Sequence, residues 1–104
     1  MGFREVKKAV LASLANGRYQ HAARGSIDTK NLLQAGLVTA PEVADVIRRC
    51  RGQHHRQTPH HQIAGLDVHV LIRDGWYIKL YLVLDGTIFI SVHRQSGEPP
   101  RSRS

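Results

Sequence analysis

Cys50 is the one cysteine among 104 residues. No disulfide can therefore staple the chain internally, and the fold does not depend on an oxidising compartment. Long apolar runs are missing as well. None approaches the roughly 18 residues of a membrane span, and the N-terminus has no secretory apolar core. The address these absences imply is a bacterial cytoplasm, with no membrane partner. Acidic side chains are scarce: eight Asp and Glu stand against fifteen Lys and Arg, a formal charge of +7. Such an excess favours polyanions, with nucleic acid first, an acidic protein second and an anionic membrane third. Charge selects partners without naming a reaction.

What remains is enough for one domain with a modest core, since 41% of the residues are hydrophobic. Over residues 3–16, Phe3, Val6, Val10 and Leu14 fall close to one helical stripe, with Arg4, Lys7 and Lys8 outside it, and Asn16-Gly17 stops the helix. Residues 18–26 are small and polar and read as a connector. A short helix is expected over about 28–35, started by Asp28 or Thr29 and ended by Gly36. Thr39-Ala40-Pro41-Glu42 has the form of a capping box with Pro in the first turn. It opens a third helix whose buried stripe is Val43, Val46, Ile47 and Cys50, closed by Gly52. Arg48, Arg49 and Arg51 crowd its last turn, where they complement the helix dipole.

Beyond residue 65 the apolar period changes from 3.6 to 2. Leu66–Arg73, Trp76–Leu84 and Thr87–Arg94 read as strands joined by Asp74-Gly75 and Asp85-Gly86, the strongest short-range hairpin signal. A short leading strand over residues 60–65 is a further candidate. The expected fold class is α+β, two to three N-terminal helices on a three- to four-stranded antiparallel sheet. It forms a single domain over 1–94, followed by a disordered basic tail over 95–104.

Two-residue turns let the pairing be read by arithmetic. Arg73 then faces Trp76 and Val70 faces Lys79 in the first hairpin, while Lys79 faces Val92, Ile78 faces His93 and Tyr77 faces Arg94 in the second. Both sheet faces are largely apolar, and the helices cover one. The other is left for the leading loop, a second subunit or a partner protein, which points to a homodimer or an obligate partner. Tyr77, Lys79 and Arg94 make one polar cluster, a phenol and two cations that suit phosphodiester cleavage without metal. A second holds Asp67, His69, Arg73, Ser91 and His93, in which two imidazoles beside an Arg suit acid–base work. Each has a structural counterpart: amphipathic side chains lying over an apolar sheet, or strand histidines bonded to a neighbouring backbone.

The least ordinary stretch is RGQHHRQTPHHQ, residues 51–62. Adjacent histidines on extended backbone point opposite ways, no cysteine lies within the stretch and no zinc spacing appears, so no metal is expected there. Its place after an Arg-ended helix suits phosphate contact through Arg48, Arg51, His54, His55, Arg56, His60 and His61. A solvated loop is the plain alternative.

The order of elements resembles the MqsR toxins of the RelE-like superfamily. The likeness rests on Glu5-Val6-Lys7-Lys8-Ala9-Val10, on Leu32-Leu33-Gln34-Ala35-Gly36-Leu37, on Glu42-Val43-Ala44-Asp45-Val46-Ile47, and on the hairpin Trp76–Leu80 … Ile88–Arg94. It implies a small basic ribonuclease that cuts mRNA with a metal-free, cofactor-free site on the sheet and is held inactive by an antitoxin. The family's hairpin tyrosine falls on Tyr77, within Tyr77-Ile78-Lys79. Its basic residue at the end of the last strand falls on His93 by offset or Arg94 by pairing. The family's loop lysine is replaced by His54, His55 or Arg56, and a glutamine by Leu66. The leading expectation is a toxin-like endoribonuclease acting through Tyr77, Lys79, His93 and Arg94. The alternative, motivated by those two replacements, is a non-catalytic nucleic-acid-binding or dimerising module.

Overall fold

A computed structural model describes residues 2–22 and 31–95. The first helix, α1 (Phe3–Asn16), buries Val6, Val10 and Leu14 and ends on left-handed Gly17, as its stripe requires. Arg18 then leads into a three-residue strand, β1 (Tyr19–His21), where a connector was expected. After the undescribed residues comes one turn of helix, α2 (Leu32–Ala35), capped by Asn31, whose Oδ1 accepts from the Gln34 amide. The proposed starts Asp28 and Thr29 lie outside the described residues; Gly36 ends the helix as expected.

Helix α3 (Ala40–Arg49) carries the full capping box: Thr39 Oγ1 accepts from the Glu42 amide, and Glu42 accepts from the Thr39 amide. Cys50, rather than Gly52, closes it. Only Arg48 and Arg49 lie in its last turn, because Arg51 already begins a 3₁₀ turn over Gly52–His54. The open carbonyls at this end are met from α1, where Lys7 Nζ donates to the Arg48 and Cys50 oxygens at 2.7 and 3.0 Å.

Four further strands follow: β2 (His55–Pro59), β3 (Asp67–Arg73), β4 (Trp76–Val83) and β5 (Gly86–Arg94). Among the described residues the sheet has five strands in the order β1-β5-β4-β3-β2, and it is mixed, since β1 runs parallel to β5. The expectation of three to four antiparallel strands is corrected on both counts. The added edge strand comes from the histidine-rich stretch at 55–59, not from 60–65, and the other from the supposed connector. The α+β class stands.

The first hairpin pairs as the arithmetic requires, Arg73 with Trp76 and Val70 with Lys79. Asp74 and Gly75 both take positive φ, 54° and 80°, the conformation that favours Asp-Gly in a two-residue turn. The second hairpin differs. Its tip is Leu84-Asp85, so Val83 pairs with Gly86, and a bulge at Ile90 shifts the register between Lys79 and Leu80. Tyr77 therefore faces His93 and not Arg94, Ile78 faces Val92, and Lys79 faces Ser91.

Helices α1 and α3 lie on one sheet face. Their stripes meet Leu71, Ile78, Leu80, Phe89 and Val92, all fully buried, and Thr87 Oγ1 donates to Ser13 Oγ across the interface at 3.0 Å. Cys50 belongs to this core, and burial holds its thiol above the usual range, so it is a packing residue and not a nucleophile. Among the described residues no helix is long and apolar enough to cross a membrane.

Candidate functional site

Strand alternation sends Tyr77, Lys79 and Tyr81 to the sheet face opposite the helices. Register then builds two cross-strand rows there, Ile72–Tyr77–His93 and Arg56–Val70–Lys79–Ser91, and the pairs Thr58–Val68 and Tyr81–Ile88. The Tyr77 and His93 rings stack, with centroids 5.1 Å apart and planes 18° from parallel. His93 Nδ1 lies 2.6 Å from the Arg94 carbonyl oxygen. A carbonyl can only accept, so Nδ1 carries the hydrogen, and in the neutral ring Nε2 keeps its lone pair.

Beside this cluster, residues 60–63 fold over the sheet and enclose a groove of about 530 Å³ whose floor includes Lys79, Tyr81 and Ile90. His60 stands perpendicular to Tyr81 at 5.2 Å. Its Nδ1 accepts from the backbone amides of Gln62 and Ile63 at 3.0 and 3.1 Å. That fixes the opposite tautomer from His93, with the hydrogen on Nε2. His61 lines the same groove.

The residues expected at the scissile phosphate are thus divided. Tyr77, Lys79 and His93 share the open face, whereas Arg94 lies on the helix side, its guanidinium 4.8 Å from the Trp76 ring centroid. The bulge is the reason: one inserted residue in β5 sends His93, not Arg94, to the side of Tyr77. The expected RNA-contact set is divided too. Arg56, His60 and His61 belong to the open face. Arg48 lies exposed at the end of α3 and pairs with Asp45 at 2.9 Å. Arg51 is exposed at the start of the 3₁₀ turn, where its amide donates to His54 Nδ1 at 2.8 Å. His54 Nε2 must then carry the hydrogen in the neutral ring, so Arg73 Nη1 at 3.5 Å is a contact and not a donor to it.

His55 lies on the helix side, its ring 5.2 Å from Phe3, with Nε2 3.0 Å from Nδ1 of His69. The two rings stack at 5.2 Å, and His69 is only 4% exposed. Burial is the leading cause that lowers both imidazoles from the ordinary 6.5, with mutual repulsion adding to it at His69. His69 is therefore separated from His93, and the acid–base pair expected between them does not assemble. Among the described residues no group of three or more His, Cys, Asp or Glu side chains converges as metal ligands would.

Sequence reasoning missed Tyr81 and the groove. The signal was present, because Tyr77-x-Lys79-x-Tyr81 puts two phenols and an ammonium on one face of a strand. No protein-family model, curated protein or solved structure matches the chain.

Proposed function

We propose that the chain is a toxin-like, metal-independent endoribonuclease that takes single-stranded RNA on the open face of its sheet. The observation that carries this reading is the placement of His93: its ring stacks on Tyr77 and its Nδ1 is committed to the Arg94 carbonyl, which leaves Nε2 as the nitrogen that accepts in the neutral ring, on a strand next to Lys79's. In the proposed step His93 Nε2 takes the proton of a ribose 2′-hydroxyl as its oxygen bonds to the adjacent phosphorus. The Lys79 ammonium pairs with the charge that grows on the non-bridging oxygens. The bond from phosphorus to the 5′-oxygen breaks, and that oxygen takes its proton from the Tyr77 phenol; solvent then returns a proton to Tyr77 and takes the one held by His93. The products are a 2′,3′-cyclic phosphate and a 5′-hydroxyl end. The resemblance to MqsR toxins supports the further expectation of an antitoxin partner.

Purified protein should cut single-stranded RNA in EDTA. His93→Gln should lower kcat by about 100-fold or more, the share a general base contributes, with KM changed only a few-fold. Intact RNA after incubation with wild type, with and without EDTA, removes the enzyme. The position of Arg94 over Trp76 favours a second reading, because it takes one expected cation away from the site. In that reading the same face binds RNA and does not cut it, and a gel shift without cleavage products is the result that selects it.

A further inference from the structure

We propose that the groove under residues 60–63 is a nucleobase subsite, and that Tyr77, Lys79 and Tyr81 hold two successive nucleotides of a single strand with the linking phosphate at Lys79. This rests on the RNA reading above and adds the register in which RNA lies. The three side chains alternate along β4 on its open face. Neighbouring members of such a row stand about 6.7 Å apart along the strand, and the order is ring, cation, ring. Tyr77 and Tyr81 are then about 13 Å apart, too far to share one base and too far for His60 and His93 to act on one phosphate. The row accordingly divides into a reacting end, Tyr77 with His93, and a reading end, Tyr81 with His60.

The reading end has the chemistry of a base. Ile63, Val68 and Ile90 offer apolar surface for a flat ring, and Thr58 and His61 offer polar edges. About 530 Å³ is the size of a small-ligand pocket. His60 stands edge-on to Tyr81 and forms a corner of the groove rather than stacking over the phenol. The two amides that bind its Nδ1 leave an Nε2 hydrogen as a donor, and they also brace the loop before a ligand arrives. Lys79 is the one Lys or Arg among the described residues that line the groove, and it suits a single phosphodiester. Tyrosines on an open sheet with bases laid over them are a common way of holding single-stranded RNA.

The test uses hexanucleotides of 2′-O-methyl RNA, which have no 2′-hydroxyl to attack, so binding is read apart from cleavage. Fluorescence anisotropy compares the intact oligomer with a set carrying one abasic site at each position in turn. Wild type should lose about tenfold in affinity at two adjacent positions and little elsewhere. Tyr81→Ala should bind the intact oligomer about tenfold more weakly and become indifferent to one of those two abasic sites. Ile63→Asp, in the exposed loop, repeats the test where the strand is untouched, with circular dichroism confirming the fold of both variants. A uniform loss across intact and abasic oligomers, or no loss on either substitution, overturns the subsite while leaving RNA binding in place. Tight base-dependent binding with no cleavage of ordinary RNA supports the subsite and removes the enzyme reading. No binding to any oligomer at low salt overturns both.

Discussion

His55 and His69 share a single hydrogen bond of 3.0 Å, so one of the two facing nitrogens must be bare. Protonating both rings would place two hydrogens in that contact and bury charge beneath Phe3. Burial accordingly lowers both below the ordinary 6.5. The unfolded chain then binds more protons than the folded one once the pH drops under about 6.5. The stabilisation is complete above that value and is lost as the pH falls toward the lowered folded values. The urea midpoint should therefore drop between pH 7.5 and pH 5. His55→Gln combined with His69→Gln should flatten that slope, though not remove it, because burial also lowers His21. An unchanged slope in the double variant would show that the pair is not the group responsible. None of this was legible in the sequence, which places both histidines in polar surroundings. Their meeting depends on β2 pairing Gln57 with His69, and composition does not announce that strand.

Among the elements, those held together by local rules were legible and those held by distant partners were not. The stripe and stop of α1, the Thr39–Glu42 box and the Asp74-Gly75 turn are each written within a few neighbouring residues. Thr39→Ala should accordingly cost about 1 kcal/mol in chemical denaturation, the usual worth of such a cap. Strand β1 is three residues of a polar segment, made a strand only because β5 offers its edge. Strand β2 is exposed along most of its length and has no apolar alternation to read. The second hairpin was misplaced by one residue because Asp85-Gly86 looked like a turn. Gly86 instead begins β5, where the Thr87 amide donates to the Arg18 carbonyl oxygen at 3.1 Å. A Cβ built on Gly86 would lie 2.0 Å from that same oxygen. Glycine is required there by the approach of β1, not by a hairpin. Gly86→Ala should lower stability by about 2–3 kcal/mol, as overpacking does. The same variant should speed amide exchange along Tyr19–His21; protection equal to wild type there would refute the close approach.

Over the whole molecule, charge is abundant and unevenly placed. The formal +7 suggested RNA in general terms, but fold and register decide which cations can meet a strand on the open face. Arg56 and Lys79 lie there, in one row across β2, β3 and β4. Arg48, Arg49 and Arg94 do not, being engaged by Asp45, Asp74 and Trp76 respectively. A face occupied by RNA also cannot be the dimer interface that its apolar residues first suggested, so RNA and a second copy of the chain would compete. Counterion release turns this placement into a measurement, because each neutralised phosphate on a single strand adds about −0.7 to the slope of log K against log salt. The two cations that the described residues place there predict a slope of about −1.4 at a pH where the histidines are neutral. Lys79→Ala should remove roughly half of it, and Arg48→Ala none. A slope near −4 or steeper would mean that RNA also runs along the end of α3, and the open face would then be only part of the binding surface.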